Sequence, residues 1–269
     1  MRKARPVQDT LVLLVTAVFA APLVWMVLTA VKSQADVYMG PLWPRSVHLE
    51  NFRLAWETAP FGRYFLNSLV VASVTTASVL LTSILAAYAF ARLRFAGRDW
   101  LFLLALGTLM VPGEVLLVPN FVTVKRLGWL DTYAALVVPF AASAFGIFVL
   151  RQTFRKLPVE LEEAMFVDGA SPWTVLWRLY VPVTLTSAAA AAIFVFLGAW
   201  NALVWPLVVT GSTAMRTVQV GLASLIYDQG YNLPVLMAAA TLVALPVLLV
   251  YFAFQRLFVE AALQSGLKS

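Results

Sequence analysis

The sequence has 269 residues, of which 62% are hydrophobic and only 12% are charged. Soluble domains carry roughly 25% charged residues, so this composition excludes an ordinary soluble protein and predicts a membrane protein. The net charge of +6 does not indicate nucleic-acid binding, because the basic residues are scattered through short connections rather than gathered on one face. The absence of cysteine excludes disulfides and thiolate chemistry, and the single histidine, His48, is expected to be a solvated loop residue.

Six apolar stretches are long enough to cross a membrane, because a transmembrane helix needs about 20 residues. They comprise residues 10–31, 64–91, 100–121, 132–150, 185–209 and 233–257. The first stretch follows a basic N-terminus, as the core of a signal peptide does, but it is too long for such a core and predicts an uncleaved span. The sequence therefore predicts an all-α polytopic membrane protein with six transmembrane helices, folded as one domain over residues 1–269.

Proline and glycine predict where these spans are interrupted. The third span contains Pro112-Gly113 and Pro119, which predict a kink or an unwound turn, and the fourth contains Pro139. In the connection 32–63, apolar residues recur at helical spacing over residues 49–56 and predict a short surface helix. Residues 210–232 are interpreted as a polar connection.

Glu114 follows the Pro112-Gly113 interruption. A carboxylate at membrane depth is costly unless it faces water, protein or a solute. Two interpretations stay open: Glu114 lines a solute path, or it caps broken backbone or pairs with Lys125 or Arg126.

The distribution of basic residues predicts the orientation of the chain in the membrane. Six spans place both termini on the same side. That side carries twelve of the nineteen Lys and Arg residues, in the N-terminal tail, after the second span, around residues 151–178 and at the C-terminus. The positive-inside rule therefore predicts that both termini and the 151–178 region are cytoplasmic.

The stretch Leu157–Pro182, between the fourth and fifth spans, is too polar to cross a membrane. Pro158 suits the first turn of a helix, and Glu160, Glu162 and Glu163 lie near the positive end of its dipole. Gly169 is placed to end this helix, and Ser171-Pro172 to cap and begin a second one.

The predicted structure of this stretch is therefore a helix, a sharp turn and a second helix. One interpretation is an amphipathic loop that rests on lipid headgroups. The other is a docking element for a protein, which the acids favour, because carboxylates are unfavourable against an anionic leaflet but pair with basic residues of a partner.

The residues Glu163-Ala164-Met165, Asp168-Gly169-Ala170 and Pro182 resemble the EAA…DGA…P signature of binding-protein-dependent ABC importer permeases. Further matches extend over nearly the whole chain and comprise Asn67-Ser68, Ala87–Arg92, Met110–Gly113, Leu127-Gly128, Trp200-Asn201 and Trp205-Pro206. The chain is similar to the second, six-span permease of the maltose-type (carbohydrate uptake) branch. It departs from the pattern at Met165, where alanine is usual, at Thr186, where a second proline often follows, and at Ala261 and Ser269, where the tail has glycines.

The resemblance implies a cytoplasmic coupling helix that docks on a separate ATPase subunit. The residues it assigns to that helix are Glu162, Glu163, Ala164, Met165, Asp168, Gly169, Ala170, Ser171 and Pro172. The implied partners are a second permease subunit in a heterodimer, a cytoplasmic ATPase dimer that binds ATP and Mg, an extracytoplasmic solute-binding protein and the lipid bilayer. This chain itself is implied to be a non-catalytic sugar transport permease of a bacterial or archaeal inner membrane, with no cofactor, metal site or nucleic-acid partner.

Four residues are candidates for a path taken by a sugar-like solute: Glu114, Trp200, Asn201 and Trp205. Asn201 is expected in the middle of the fifth span. There its amide either hydrogen-bonds a sugar hydroxyl, with Trp205 stacked on the ring, or joins neighbouring helices.

The alternative function is a stand-alone secondary carrier or an integral membrane enzyme that uses Glu114. The sequence contains no phosphate-binding G-x-x-x-x-G-K-[ST] loop, no H-E-x-x-H and no G-x-S-x-G. An intramembrane acid is thus the feature on which this alternative depends.

Overall fold

The computed structural model describes residues 6–228 and 232–266, with side chains for residues 9–226 and 232–255. Within those ranges the chain forms helices and connections but no strand, which confirms the all-α prediction. The α-helices are α1 (Pro6–Ala30), α2 (Gln34–Met39), α3 (Glu50–Thr58), α4 (Phe61–Arg92), α5 (Arg98–Gly107), α6 (Leu117–Arg126), α7 (Tyr133–Val137), α8 (Ala144–Arg155), α9 (Val159–Val167), α10 (Pro172–Val175), α11 (Val181–Val183), α12 (Leu185–Trp200), α13 (Val204–Val209), α14 (Val218–Asp228) and α15 (Leu233–Gly266).

Three described helices are long and apolar enough to cross a membrane unbroken: Asp9–Ala30, Phe61–Arg92 and Leu233–Gln255. Three further segments are pairs of helices bent at a short break. They are Arg98–Met110 with Gly113–Arg126 at 95°, Tyr133–Phe140 with Ala144–Arg155 at 44°, and Pro172–Val183 with Leu185–Trp200 at 77°. Counting each bent pair as one span gives six spans, which is the number that the sequence predicts, although the last of these pairs begins at Pro172, before the predicted fifth stretch.

The third span breaks at one of its two predicted positions. Val111 is extended, with a ψ of 116°, because the residue before a proline avoids the helical conformation. Pro119, in contrast, lies within the first turn of α6. The N–H groups of a helix's first turn have no acceptor within that helix, so a proline there removes no helical hydrogen bond. The prediction of an interruption at Pro119 is therefore wrong.

The predicted fifth span, residues 185–209, is not one helix. α12 ends at Trp200, and α13 begins only at Val204. Pro206 explains the break, since its ring clashes with the carbonyl of Ala202 in a continuous helix. Asn201 therefore caps the end of α12 rather than lying in the middle of a span.

The two long connections contain more helix than the sequence predicts. The surface helix expected over residues 49–56 is confirmed as α3, whereas α2 was not predicted. The connection 210–232 is not simply polar, because α14 occupies much of it and buries Val218, Val220 and Leu225. Intervening Gln, Gly and Ser residues hid this apolar face from the sequence analysis.

The described residues within 1–63 and 218–249 form one compact unit. α1 exposes apolar side chains along its length, including Leu13 and Phe19, as a membrane span does. The Asn51 side-chain amide donates to the carbonyl oxygens of Ala30 and Lys32, at 2.9 Å each. These bonds satisfy carbonyls that the end of α1 leaves without a helical partner.

The described residues within 64–217 and 250–269 form a second compact unit. α4 contributes side chains to two hydrophobic clusters of this unit. The Trp205 cluster consists of Val71, Val124, Ala135, Leu136, Val137, Trp205 and Val209. The Tyr180 cluster consists of Ile84, Ala87, Tyr88, Leu150, Phe154, Val175, Leu176 and Tyr180. At 1.5 Å per residue, Val71 and Ile84 are about 20 Å apart along α4, so the clusters lie toward opposite ends of that helix. The assignment of residues 1–269 to one transmembrane domain stays a prediction.

Candidate docking helix and candidate solute path

α9 is the first helix of the polar stretch between the fourth and fifth spans. It begins after Pro158 and carries Glu160 and Glu162 in its first turn, where the helix dipole favours carboxylates. It ends in a Schellman turn centred on Gly169, which has a φ of +82°. The N–H of Gly169 donates to the Phe166 carbonyl at 3.0 Å, and that of Ala170 to the Met165 carbonyl at 2.9 Å. Residues with a Cβ rarely adopt this φ, so the prediction that Gly169 ends the helix is confirmed by its geometry.

The second helix also begins where the sequence predicts. The Ser171 hydroxyl accepts a hydrogen bond from the Thr174 N–H at 3.2 Å, and Pro172 occupies the first position of α10. A wide turn follows over Leu176–Tyr180, in which the Val181 N–H bonds the carbonyl five residues earlier. Pro182 has no N–H for the Arg178 carbonyl, which favours this wide turn over a regular α-helix.

Most residues assigned to docking are exposed on α9 and the turn after it. These are Glu163, Ala164, Asp168, Gly169, Ser171 and Pro172. The same segment exposes apolar side chains, with Val167 at 87% exposure and Leu161, Phe166 and Trp173 also exposed. An apolar and acidic surface outside the membrane spans is the kind that contacts another protein.

Met165 and Ala170 do not belong to that exposed surface. Both are half-buried and pack against the Tyr180 cluster. A hydrophobic contact between these two positions commonly accompanies a Schellman turn. The larger Met165 side chain therefore packs against the chain's own helices, and its assignment to the docking helix's contact with a partner stays a prediction.

Glu162 also points inward, contrary to the expectation that it faces a partner. Its carboxylate accepts a hydrogen bond from the Tyr180 hydroxyl at 2.6 Å and a long one from the Tyr88 hydroxyl at 3.5 Å. The Arg92 Nε lies 3.6 Å from the same carboxylate, and the Arg92 and Glu162 side chains are only 9% and 10% exposed. This buried ion pair satisfies a charge that would be costly to bury alone.

Two arginines join the ends of α4 and α8 through hydrogen bonds from their side chains to backbone carbonyls. Arg92, at the end of α4, donates to the Phe154 and Leu157 carbonyls at 2.8 and 2.6 Å. Arg151, in α8, donates to the Phe90 carbonyl at 3.1 Å. Each side chain thus supplies donors to carbonyls at or near the other helix's C-terminus, where cations are favourable. From the sequence, these arginines were interpreted only as positive charges that set the orientation of the chain in the membrane.

A second group of polar residues fastens the loop after α13. The Asp131 carboxylate accepts hydrogen bonds from the N–H groups of Gly211 and Ser212, at 3.0 Å each. Hydrogen bonding from Ser212, and then from Gly211, holds the Asp131 pKa below its ordinary value, because these bonds favour the charged form. Asp131 has a φ of 60°, a conformation that aspartate tolerates better than most residues.

Asn67 holds the same loop from the start of α4. Its side-chain amide donates to the Ala214 and Arg216 carbonyls at 2.9 and 2.8 Å, and its oxygen accepts from the Tyr133 hydroxyl at 2.6 Å. The sequence places Asn67 in a family-like motif but gives it no role, because its partners lie 66 to 149 residues away.

Of the candidate path residues, Trp205 lines a cavity. The cavity has a volume of about 350 Å³ and is lined by parts of α4, α12, α13 and the break in the fourth span, including Thr75, Phe140 and Ser143. The Thr75 hydroxyl is buried without a hydrogen-bond partner in the described structure. The Trp205 indole N–H donates to the Ala135 carbonyl at 2.9 Å, so its ring orientation is fixed.

The other three candidates are in different surroundings. Trp200 is buried and packs on Phe65 and Phe196, with ring centroids 5.8 and 6.1 Å apart. Asn201 is exposed at the end of α12. Glu114 is exposed in a 3₁₀ turn after the break in the third span, and the ion pairs of the described residues do not join it to Lys125 or Arg126. The structure thus does not gather the four residues into one site.

Comparison with known proteins shows similarity to permease proteins of sugar transport systems. The chain is 35% identical over 244 residues to the lactose transport system permease protein LacG of Rhizobium radiobacter, covering 91% of this chain and 89% of LacG. It is 32% identical over 260 residues to the diacetylchitobiose uptake system permease protein NgcG of Streptomyces coelicolor, covering 95% of this chain and 86% of NgcG.

Among solved structures, a chain of a bacterial ABC transporter involved in the import of the acidic polysaccharide alginate superposes with a TM-score of 0.85. The superposition covers 95% of this chain and 99% of that one at 22% identity, and therefore shows a shared fold. Residues 1–263 match the family described as "Binding-protein-dependent transport system inner membrane component". The chain belongs to this family and is a multi-pass inner-membrane component of a binding-protein-dependent transport system.

Proposed function

We propose that this chain is the permease subunit of an ATP-driven importer that moves a sugar or a sugar-like solute across the membrane. Its partners are a second permease subunit, a cytoplasmic ATPase dimer and an extracytoplasmic solute-binding protein. The sugar class is supported by the names of two relatives, which transport lactose and diacetylchitobiose. Membership in the family sets aside the alternative of a stand-alone carrier or enzyme based on Glu114.

The exposed surface of α9 is the observation that carries this proposal. It combines the carboxylates of Glu163 and Asp168 with the apolar side chains of Phe166 and Val167. Acids of this kind pair with basic residues of a protein partner, and the apolar groups add buried area. The sequence has no phosphate-binding loop of its own, so ATP and Mg are bound by the partner on which α9 docks.

The orientation follows from the same proposal. The ATPase is cytoplasmic, so α9 and both termini lie on the cytoplasmic side, in agreement with the excess of basic residues there. The connections 32–63 and 210–232 then lie on the opposite side, where the solute-binding protein delivers its ligand. Closure of the ATPase dimer moves α9, and the spans alternate between inward and outward access.

The cavity beside Trp205 is the best-supported place for solute to pass this subunit. It lies at the breaks of two spans, and interrupted helices at membrane depth are tolerated where they line a cavity. The Thr75 hydroxyl offers a donor and an acceptor to a hydroxylated solute, and the Trp205 and Phe140 rings offer apolar faces. Glu114, Trp200 and Asn201 stay candidates for other points along the path.

The test is co-purification of the ATPase with a charge-reversed docking helix. Glu163→Lys is expected to abolish capture of an ATPase that carries a phosphate-binding loop, because the substitution puts a cation where a carboxylate meets basic residues. Glu163 is exposed, so the melting temperature of the isolated chain should not change. Glu57→Lys, on the exposed helix α3, is the matched control and should leave capture intact. Equal capture by both variants would contradict the docking role of α9.

A further inference from the structure

We propose that Glu162 is a positioning residue that joins α9 to the membrane spans, so that a displacement of α9 is carried directly into α4 and α8. The driving force for that displacement rests on the proposed docking of α9 to an ATPase. The joint itself is defined by contacts inside this chain.

The Glu162 carboxylate is the point at which three elements meet. Tyr180, from the wide turn before α11, donates to it at 2.6 Å, and Tyr88 and Arg92, both from α4, approach it at 3.5 and 3.6 Å. The Arg92 guanidinium also lies over the Tyr180 ring, 5.2 Å from its centroid. In a buried network of this kind each contact strengthens the others, and an unpaired member is costly.

Arg92 extends the joint to α8. The same guanidinium that pairs with Glu162 donates to the Phe154 and Leu157 carbonyls, and Arg151 returns a hydrogen bond from α8 to α4. The ends of α4 and α8 are therefore fixed to each other before α9 is considered. Glu162 adds α9 to that fixed pair.

The position of Glu162 along α9 explains why such an attachment is needed. α9 has nine residues and is joined to the spans at each end by short backbone connections, around Pro158 and around Gly169. Two backbone attachments define an axis about which the helix can rotate. A side-chain attachment between those two connections opposes that rotation, so that a force applied to the exposed face moves the spans instead of turning α9.

The joint is tested by measuring a distance across it. The native sequence has no cysteine, so a spin-label pair is introduced by Glu160→Cys on α9 and Leu81→Cys on α4, both exposed positions. Pulsed electron paramagnetic resonance gives the distance in lipid nanodiscs, for the chain alone and for the assembled importer with and without ATP and vanadate. The variants compared in this labelled background are Glu162→Ala, Glu162→Gln, Tyr180→Phe and, as the control that removes an exposed glutamate outside the docking helix, Glu57→Ala.

The labelled background and the Glu57→Ala control are expected to give one narrow distance that does not change with nucleotide. Glu162→Ala should add a second distance between the two labels, and ATP with vanadate should shift that distance. The reason is that α9 then moves with the ATPase, whereas α4 no longer moves with α9. A purely structural role would reduce the yield of folded protein without producing a nucleotide-dependent distance. Tyr180→Phe should give a smaller second population, since it removes one hydrogen bond and keeps the ion pair.

A single distance in Glu162→Ala, unchanged in both nucleotide states, would overturn the proposal. If Glu162→Ala does not fold, Glu162→Gln decides the matter, because it keeps the side chain's size and removes its charge. A Glu162→Gln distance as narrow as that of Glu57→Ala would also overturn the proposed joint. Failure of the labelled chain to assemble with an ATPase would refute the proposed function, while the distances in the chain alone would still test the joint.

Discussion

Replacing Gly169 with alanine should weaken the end of the docking helix without any steric clash. A Cβ built on Gly169 has no atom within 4 Å, so the cost is that of the backbone conformation alone. The φ of +82° lies in the left-handed region, which costs a residue with a Cβ about 1–2 kcal/mol. A loss of this size raises the population of the locally opened turn about 5–30-fold.

Hydrogen exchange read by mass spectrometry measures that opening directly. The Gly169 and Ala170 N–H groups close the turn, so exchange of a peptide spanning residues 165–172 should accelerate about 5–30-fold in Gly169→Ala. Gly169→Asn should lie between alanine and the native protein, because asparagine tolerates this conformation better. Gly107→Ala is the control, since its Cβ also meets open space and its φ of −57° is ordinary for helix. Unchanged exchange in Gly169→Ala, or equal acceleration in Gly107→Ala, would refute the reasoning.

Two further predictions concern the loop after α13. The Asp131 pKa is lowered by hydrogen bonds, so its contribution to stability is present above the ordinary value of 3.8 and is lost as the pH falls through the lower folded-state pKa. The melting temperature should therefore fall more between pH 6 and pH 3 for the native protein than for Asp131→Asn, and parallel curves would contradict this. Asn67→Ala should destabilise the protein by about 1–3 kcal/mol for each carbonyl left unsatisfied. Denaturant unfolding followed by tryptophan fluorescence measures this loss of unfolding free energy. Tyr133→Phe removes one of the three hydrogen bonds of Asn67 and should lower the free energy of unfolding by less. An equal loss in the two variants would show that the amide contacts contribute little.

α9 has features that the sequence predicts and one that it does not. The helix, its end at Gly169 and the cap at Ser171 were predicted because each depends on neighbouring residues and on local backbone geometry. Which glutamate faces inward was not predicted. Glu162 and Glu163 are chemically identical and adjacent, and the helix turns by about 100° from one to the next. α9 also buries Glu162 while exposing Leu161, which inverts the usual relation between polarity and burial.

The same limit applies to the spans. The break at Pro112-Gly113 was predicted because a proline constrains the residue before it, whereas the break before α13 was missed because residues 185–209 were interpreted from their apolar length and not from Pro206. Apolar length is a property of the sequence, but the boundaries inside a long apolar stretch depend on which carbonyls and side chains neighbouring helices supply.

The sequence by itself determined that the chain is an all-α membrane protein with six long apolar stretches and that a helix–turn–helix follows the fourth of them. These features follow from hydrophobicity summed over 20 residues and from the backbone restrictions of proline and glycine, which act within a few residues. The tertiary structure alone decided that Arg92, Tyr180 and Glu162 meet, and that Asp131 and Asn67 fasten the loop after α13. Those contacts join residues 18 to 149 positions apart, and a buried charge or amide finds its partner only when the packing of several helices brings the two together.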